Sequence, residues 1–317
     1  MKTKLVYSPR YNFGLMGLEK LHPFDAKKFS RTWHSLESEW RDQLSDYVVD
    51  VLQPITDEQL LHVHSSAYLN SLHSNKNIAK VVEIPAIHFL PNFMLQKGLI
   101  TPARFATAGT LEAARQALTG CMAMNVGGGF HHAFRDRGEG FCFFADAALA
   151  IETLRAENKL SPASNIVMID LDAHRGNGFT SFYEDDKHVG IFDLYNMQVY
   201  PGLKEGDPDD FPWIIPMRAG LGSSEYLQLV EAELPRFLDH WQQPALVFYN
   251  AGTDVLSTDK LGALNVSYDA VKTRDRFVVD LLRKKSIPTV IMTSGGYSKE
   301  SYQLIAALAS YLINTSD

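Results

Sequence analysis

Cysteine is scarce in this sequence: only Cys121 and Cys142 occur among 317 residues. Two cannot build a disulfide framework, and such low usage fits a reducing compartment. An excess of positive charge is also missing. Thirty Lys and Arg stand against 37 Asp and Glu, a formal charge of −7, which argues against a chain built to track nucleic acid phosphates. No apolar window approaches the ~18 residues that a membrane-spanning helix needs. The opening Met1-Lys-Thr-Lys-Leu-Val-Tyr is basic but lacks an apolar stretch of signal-peptide length. Low-complexity tracts, long Gly/Ser linkers and internal repeats are missing too. What is present is 45% apolar and 11% aromatic residues, enough for a large core and incompatible with disorder. The expectation is one cytoplasmic globular domain over residues 1–317, without a nucleic acid partner or a membrane span. The sequence does not fix its oligomeric state.

Short apolar runs alternate with helical patterns. Lys4–Tyr7, Met122–Val126, Ile166–Leu171, Val189–Leu194, Ala245–Tyr249 and Thr289–Thr293 read as strands. Most are continuous rather than alternating, as in a parallel sheet buried on both faces. Pro102–Leu118, Asp146–Glu157, Ser224–His240 and Ser267–Lys285 read as helices, the third bent or restarted at Pro235. Alternating strands and helices predict a doubly wound α/β domain. The first 95 residues are less regular, with His22-Pro23-Phe24-Asp25 and Pro91-Asn92-Phe93 as loop punctuation around short helices.

Ligands of open α/β sheets bind beyond the carboxyl ends of the strands, and here those ends carry chemistry. Val126 leads into Gly127-Gly128-Gly129-Phe130-His131-His132, and the Ile166 run into Asp170, Asp172 and His174. The Val189 run reaches Asp193-Leu194, Tyr249 precedes Asn250-Ala251-Gly252-Thr253-Asp254, and Thr293 precedes Ser294-Gly295-Gly296-Tyr297. On extended backbone Asp170, Asp172 and His174 share a face. Alone, that triplet reads equally well as strand-end polar residues bonded to loop amides. With Asp254 it makes a three-ligand site, Asp172, His174 and Asp254, with room for water and substrate as catalytic zinc requires. No Gly-Lys-Ser/Thr follows the glycines, so they form no Walker-type phosphate loop. The glycines before Tyr297 free the backbone to turn its hydroxyl inward, and Cys142 reads as structural because no basic partner for a thiolate stands out.

These motifs resemble the histone deacetylase family. Gly-Gly-Gly-Phe-His-His, Gly-Phe-Cys, Asp-Leu-Asp-Ala-His-Arg-Gly-Asn-Gly, Asn-Ala-Gly-Thr-Asp and Ser-Gly-Gly-Tyr occur in family order. The class IV branch is the most similar, through Tyr7-Ser-Pro-Arg-Tyr, the segment Gly17 to Asp25, Phe89-Leu-Pro-Asn-Phe93 and Tyr249 to Asp254. The resemblance implies an arginase-deacetylase fold, a single-domain three-layer α/β/α structure with an eight-stranded parallel sheet. It implies Zn²⁺ on Asp172, His174 and Asp254, and a structural K⁺ beside Asp170, Asp172, His174, Asp193 and Leu194. His131 and His132 become the proton-transfer pair, backed by Asp170 and Asn177, and Tyr297 the oxyanion donor. Phe141 and Tyr200 match the walls of the substrate tunnel, with Gly140, Leu261, Gly295 and Gly296 in the substrate site. The implied substrate is an N-ε-acyl-lysine on a protein or peptide, with long fatty acyl groups favoured over acetyl.

The resemblance has two informative departures. Class I enzymes carry Asp where Asn177 stands. Polyamine-deacylating relatives carry an acid where Leu261 stands, which lowers the reading as an acetylpolyamine or small acyl-amine amidohydrolase. That alternative stays open, as does a non-catalytic scaffold. An arginase-like pair of manganese ions would need further Asp and His ligands.

Overall fold

Eight short strands, all paired in parallel, form one sheet: β1 (Thr3–Tyr7), β2 (Val48–Asp50), β3 (Met122–Asn125), β4 (Ile166–Asp170), β5 (Val189–Asn196), β6 (Ile214–Met217), β7 (Leu246–Asn250) and β8 (Thr289–Met292). Their order across the sheet is β2-β1-β3-β8-β7-β4-β5-β6. This computed structural model describes residues 1–15, 17, 25–202 and 212–316. The Gly17–Asp25 match and the His22-Pro23-Phe24 punctuation thus fall largely outside the described residues.

Every residue of β3, β4, β5, β7 and β8 is buried, which is why these strands read as unbroken apolar runs. The edges differ. Strand β2 has three half-buried or exposed residues, and β6 carries Pro216. Proline cannot donate to a ladder, so it is tolerated at an edge. Neither edge strand has the run length that signals a strand in sequence.

Helices cover both faces. Thr101–Ala117 packs on β1, β3 and β8 and against the helix Asp146–Ala156. On the other side Lys28–Trp40, Ser301–Asn314, Tyr268–Lys284 and Ser223–Trp241 pack in succession. This three-layer arrangement is the expected one. One detail is sharpened: the helix does not restart at Pro235, and Ser223–Trp241 runs through it as a single element. Burial of Val230, Leu234, Phe237 and Leu238 around it outweighs one lost backbone bond. Another is that Pro91 caps the start of a short helix, Asn92–Leu95. The parallel topology brings the carboxyl ends of β3, β4, β5, β7 and β8 to one edge.

Candidate metal centre

Strand β4 ends at Asp170, and residues 171–174 belong to no strand, with bends at 172–174. The strand alternation expected to align Asp170, Asp172 and His174 therefore stops short of the last two. Their orientation comes from carboxylate turns instead. Asp170 Oδ1 accepts the Asp172 amide at 3.2 Å, and Asp172 Oδ1 accepts the His174 amide at 3.0 Å. Asp170 turns away, its Oδ2 2.7 Å from His131 Nδ1. Asp172 and His174 turn toward Asp254, which lies beyond β7.

His174 Nδ1 lies 3.0 Å from Asp172 Oδ1 and 2.9 Å from Asp254 Oδ2. Zinc holds its ligand atoms at ~2.0–2.1 Å, so tetrahedral ligands sit roughly 3.3 Å apart. The spacing and the donor set, two carboxylates and an imidazole, fit that ion. Among the described residues this trio is the group that can hold a metal, its ligand atoms within 4.8 Å of one another. The remaining oxygens are engaged. Asp172 Oδ2 accepts from Ser294 Oγ at 2.7 Å and the Gly295 amide at 2.8 Å; Asp254 Oδ1 accepts the Ala173 amide at 2.8 Å. Such outer partners aim each ligand. A Cβ on Gly295 would come 2.2 Å from Asp254 Oδ2 and 2.4 Å from Asp172 Oδ2, so only glycine lets this loop close over the trio.

Burial and charge oppose each other here. Burial resists a charge on His174, but Asp172 and Asp254 outweigh it and raise its pKa well above the usual value. Burial and the charge of Asp172 push Asp254 up to about 7. Two buried carboxylates this close call for a cation between them.

The histidine pair is split by its partners. For His131, burial disfavours charge, yet Asp170 and Asp172 prevail and raise its pKa to about 9. His132 Nδ1 meets only an amide oxygen, Asn177 Oδ1, at 2.7 Å. That oxygen also accepts the Gly178 amide at 3.0 Å, so it is an acceptor and takes the His132 Nδ1–H. Burial and the neighbouring His131 and His174 then hold His132 well below its ordinary pKa. At neutral pH one imidazole is charged and its neighbour, with ring centres 4.1 Å apart, is neutral.

A cavity of about 440 Å³ leads to these groups. His132, His174, Tyr297, Leu261, Gly140, Phe141 and Tyr200 line it, together with Glu83, Ile84, Pro85 and Ala86, which carry no sequence signal. Tyr200 donates to Glu139 Oε2 at 2.8 Å and meets the His132 ring edge-on. Burial, followed by the charges of Asp254 and Asp172, keeps the Tyr297 hydroxyl protonated. Its main-chain N–H donates to Asp259 Oδ2 at 2.6 Å, a support that sequence reasoning missed. A second, inner cavity of about 40 Å³ is lined by Phe29, Phe130, His131, Cys142, Gly295 and Tyr297, among others. Gly296 packs instead against Thr253 and Ser301, lining neither cavity. Lys28, fully buried, donates to the Ser294 carbonyl at 2.6 Å. Burial lowers its pKa to about 8 against the pull of Asp254 and Asp172.

The histone deacetylase domain pattern matches residues 22–312. The chain belongs to the histone deacetylase family. Members of this family are hydrolases. Histone deacetylase 2 of Arabidopsis thaliana is 39% identical over 310 residues, covering 96% of this chain and 77% of that one. Histone deacetylase RPD3 of Saccharomyces cerevisiae is 26% identical over 279 residues, 83% of this chain and 61% of that one. The crystal structure of an HDAC homolog from Aquifex aeolicus matches with a TM-score of 0.76 at 24% identity, covering 99% of this chain and 84% of that one. The shared architecture is the arginase-deacetylase fold. No helix among the described residues is long and apolar enough to cross a membrane.

Proposed function

We propose that this histone deacetylase relative, acting as one catalytic domain, hydrolyses N-ε-acyl-lysine amides with Zn²⁺ held by Asp172, His174 and Asp254. The observation that carries the reading is the convergence of this trio with a charged and a neutral histidine and a protonated tyrosine at the end of one cavity. Zinc supplies Lewis-acid polarisation of an amide carbonyl and acidification of water. The other tasks fall to the chain. Neutral His132, its ring fixed through Asn177, offers Nε2 to take the proton of the attacking water and return one to the departing amine. His131, kept positive through Asp170, adds favourable potential beside the developing negative charge. The Tyr297 hydroxyl donates to that oxyanion. Phe141 and Tyr200 flank the lysine stem, with Gly140 and Leu261 beside them. Leu261 gives a cationic polyamine no charge to bind, which weighs against the acetylpolyamine reading.

A K⁺ ion beside Asp170 and Asp193 belongs to the same proposal. Asp193 is fully buried, and its Oδ1 has no hydrogen-bond partner among the described residues. Burial and the charge of Asp170 raise its pKa, so a cation joined by the Leu194 carbonyl would be welcome there.

Acyl length is the finer question. The resemblance to the class IV branch, on the motifs quoted above, implies a long fatty chain. The inner cavity of about 40 Å³ supports a second reading, acetyl or another short group, because a water needs at least ~10–15 Å³ by the same measure and an extended alkyl chain far more. A long chain requires Phe29 and Phe130 to draw back. One lysine peptide, acetylated or myristoylated, assayed with Tyr297→Phe as control, tests both. Deacylation with kcat about 10²–10³-fold lower in the variant is expected. A higher kcat/KM for myristoyl supports the fatty reading, and one at least as high for acetyl supports the short-chain reading. No turnover of either peptide by the zinc-loaded protein overturns the proposal.

A further inference from the structure

One buried charge lies outside the chemistry above yet touches both loops that carry it. Arg274, in the helix Tyr268–Lys284, has no solvent exposure. Its Nη1 donates to the Leu171 carbonyl at 3.1 Å and to the Gly252 carbonyl at 2.7 Å. Leu171 immediately precedes Asp172, and Gly252 stands two residues before Asp254. The ladder between β4 and β7 ends at the pair Asp170 and Asn250. One further main-chain bond, from the Leu171 N–H to the Asn250 carbonyl at 3.1 Å, ties the two strands; the Leu171 and Gly252 carbonyls lie just beyond it, in the loops that carry Asp172 and Asp254. The guanidinium bridges them. The loops are also pressed together, since a Cβ on Gly252 would lie 2.6 Å from the Asp172 Cα.

The guanidinium is itself fixed. Nε donates to Asp275 Oδ1 at 2.9 Å, Nη2 lies 2.8 Å from the same oxygen as an ion-pair contact, the Tyr249 hydroxyl donates to that oxygen too, and the Tyr226 hydroxyl lies 3.3 Å from Nη1. A planar fork held by a carboxylate has little freedom left. Lysine could keep the charge but not reach both carbonyls while staying bound to Asp275.

We infer that Arg274 is a positioning residue of the metal centre, setting the distance between the Asp172 and Asp254 loops so that the trio meets one zinc ion. The inference rests on the proposed zinc site. It differs from a role in general stability, which the same helix illustrates. Arg283 also ties main-chain carbonyls, donating to Thr315 O at 2.6 Å and Leu312 O at 2.9 Å, but these belong to the C-terminal helix and its end.

The test is zinc affinity at equilibrium, by competition with a chromophoric chelator, for the wild type, Arg274→Lys, Arg283→Lys and the double variant Arg274→Met with Asp275→Leu. The double variant removes both buried charges together, which a fold commonly tolerates. The expected result is zinc binding at least tenfold weaker in both Arg274 variants, with the far-ultraviolet spectrum kept, and unchanged in Arg283→Lys even if its melting temperature falls. Wild-type affinity in a folded Arg274 variant overturns the inference and leaves the proposed function standing. Equal weakening in Arg283→Lys also overturns it, by reducing the effect to stability. A wild type that binds no zinc overturns the proposed metal centre and this inference with it.

Discussion

Two imidazoles packed side by side differ because one meets a carboxylate and the other an amide. His131, on Asp170, is raised to about 9, whereas His132, on Asn177, is held low. Asn177→Asp puts a negative charge on His132 Nδ1 and stabilises its protonated form. The sign follows: the pKa of the base rises, and the acidic limb of the kcat/KM profile moves to higher pH. A pH–rate profile checks this, and an unmoved limb means that His132 is not the base. Much at this scale is legible in sequence, because ligands and histidines sit in short motifs after apolar runs. Asp259, Lys28 and the Glu83–Ala86 rim are not, since each acts through a contact distant in sequence. Arg274 leaves a trace: it interrupts the buried stripe of Val271, Val278 and Leu282, where a charge must have a partner.

Elements show why six strands are readable and two are not. A central strand is buried on both faces and spells itself as an apolar run. Val48–Asp50 and Ile214–Met217 lie at the sheet's edges, and only one neighbour pairs with each. The helix Lys28–Trp40 is masked differently, by a lysine on its buried side beside Phe29, Thr32 and Leu36. His64 shows how the irregular N-terminal part supports the site. Its Nδ1 bonds the Phe134 carbonyl at 3.0 Å, just past the histidine pair, and its Nε2 accepts the Ala145 amide at 3.0 Å, at the start of the helix Asp146–Ala156. Burial lowers its pKa to about 4. A base depressed on folding is protonated first in the unfolded chain. Its stabilisation is thus complete above pH ~6.5 and fades as pH falls toward 4, a span of about 3 kcal/mol. Unfolding free energies measured from pH 4 to 7 should fall less steeply in His64→Gln. An equal slope would place the acid sensitivity elsewhere.

For the whole molecule, the centre concentrates buried negative charge at the meeting of five strands, and that arrangement favours function over bare stability. Asp172 and Asp254 are 1% and 0% exposed, and burial with mutual repulsion already pushes Asp254 up to about 7. Asp254→Asn keeps the shape and the oxygen that accepts the Ala173 amide while removing one of the two charges. Without zinc the variant should unfold at the same temperature as the wild type or higher, because repulsion is relieved. With zinc the order reverses. An ion at one hundred times its Kd stabilises the native state by about 2.7 kcal/mol, an increment the variant, with a weaker donor set, mostly loses. Melting curves of both proteins, with chelator and with added zinc, should therefore cross. Equal zinc stabilisation of the two would remove Asp254 from the ligand set, and a variant much less stable in chelator would show that its charge serves the fold.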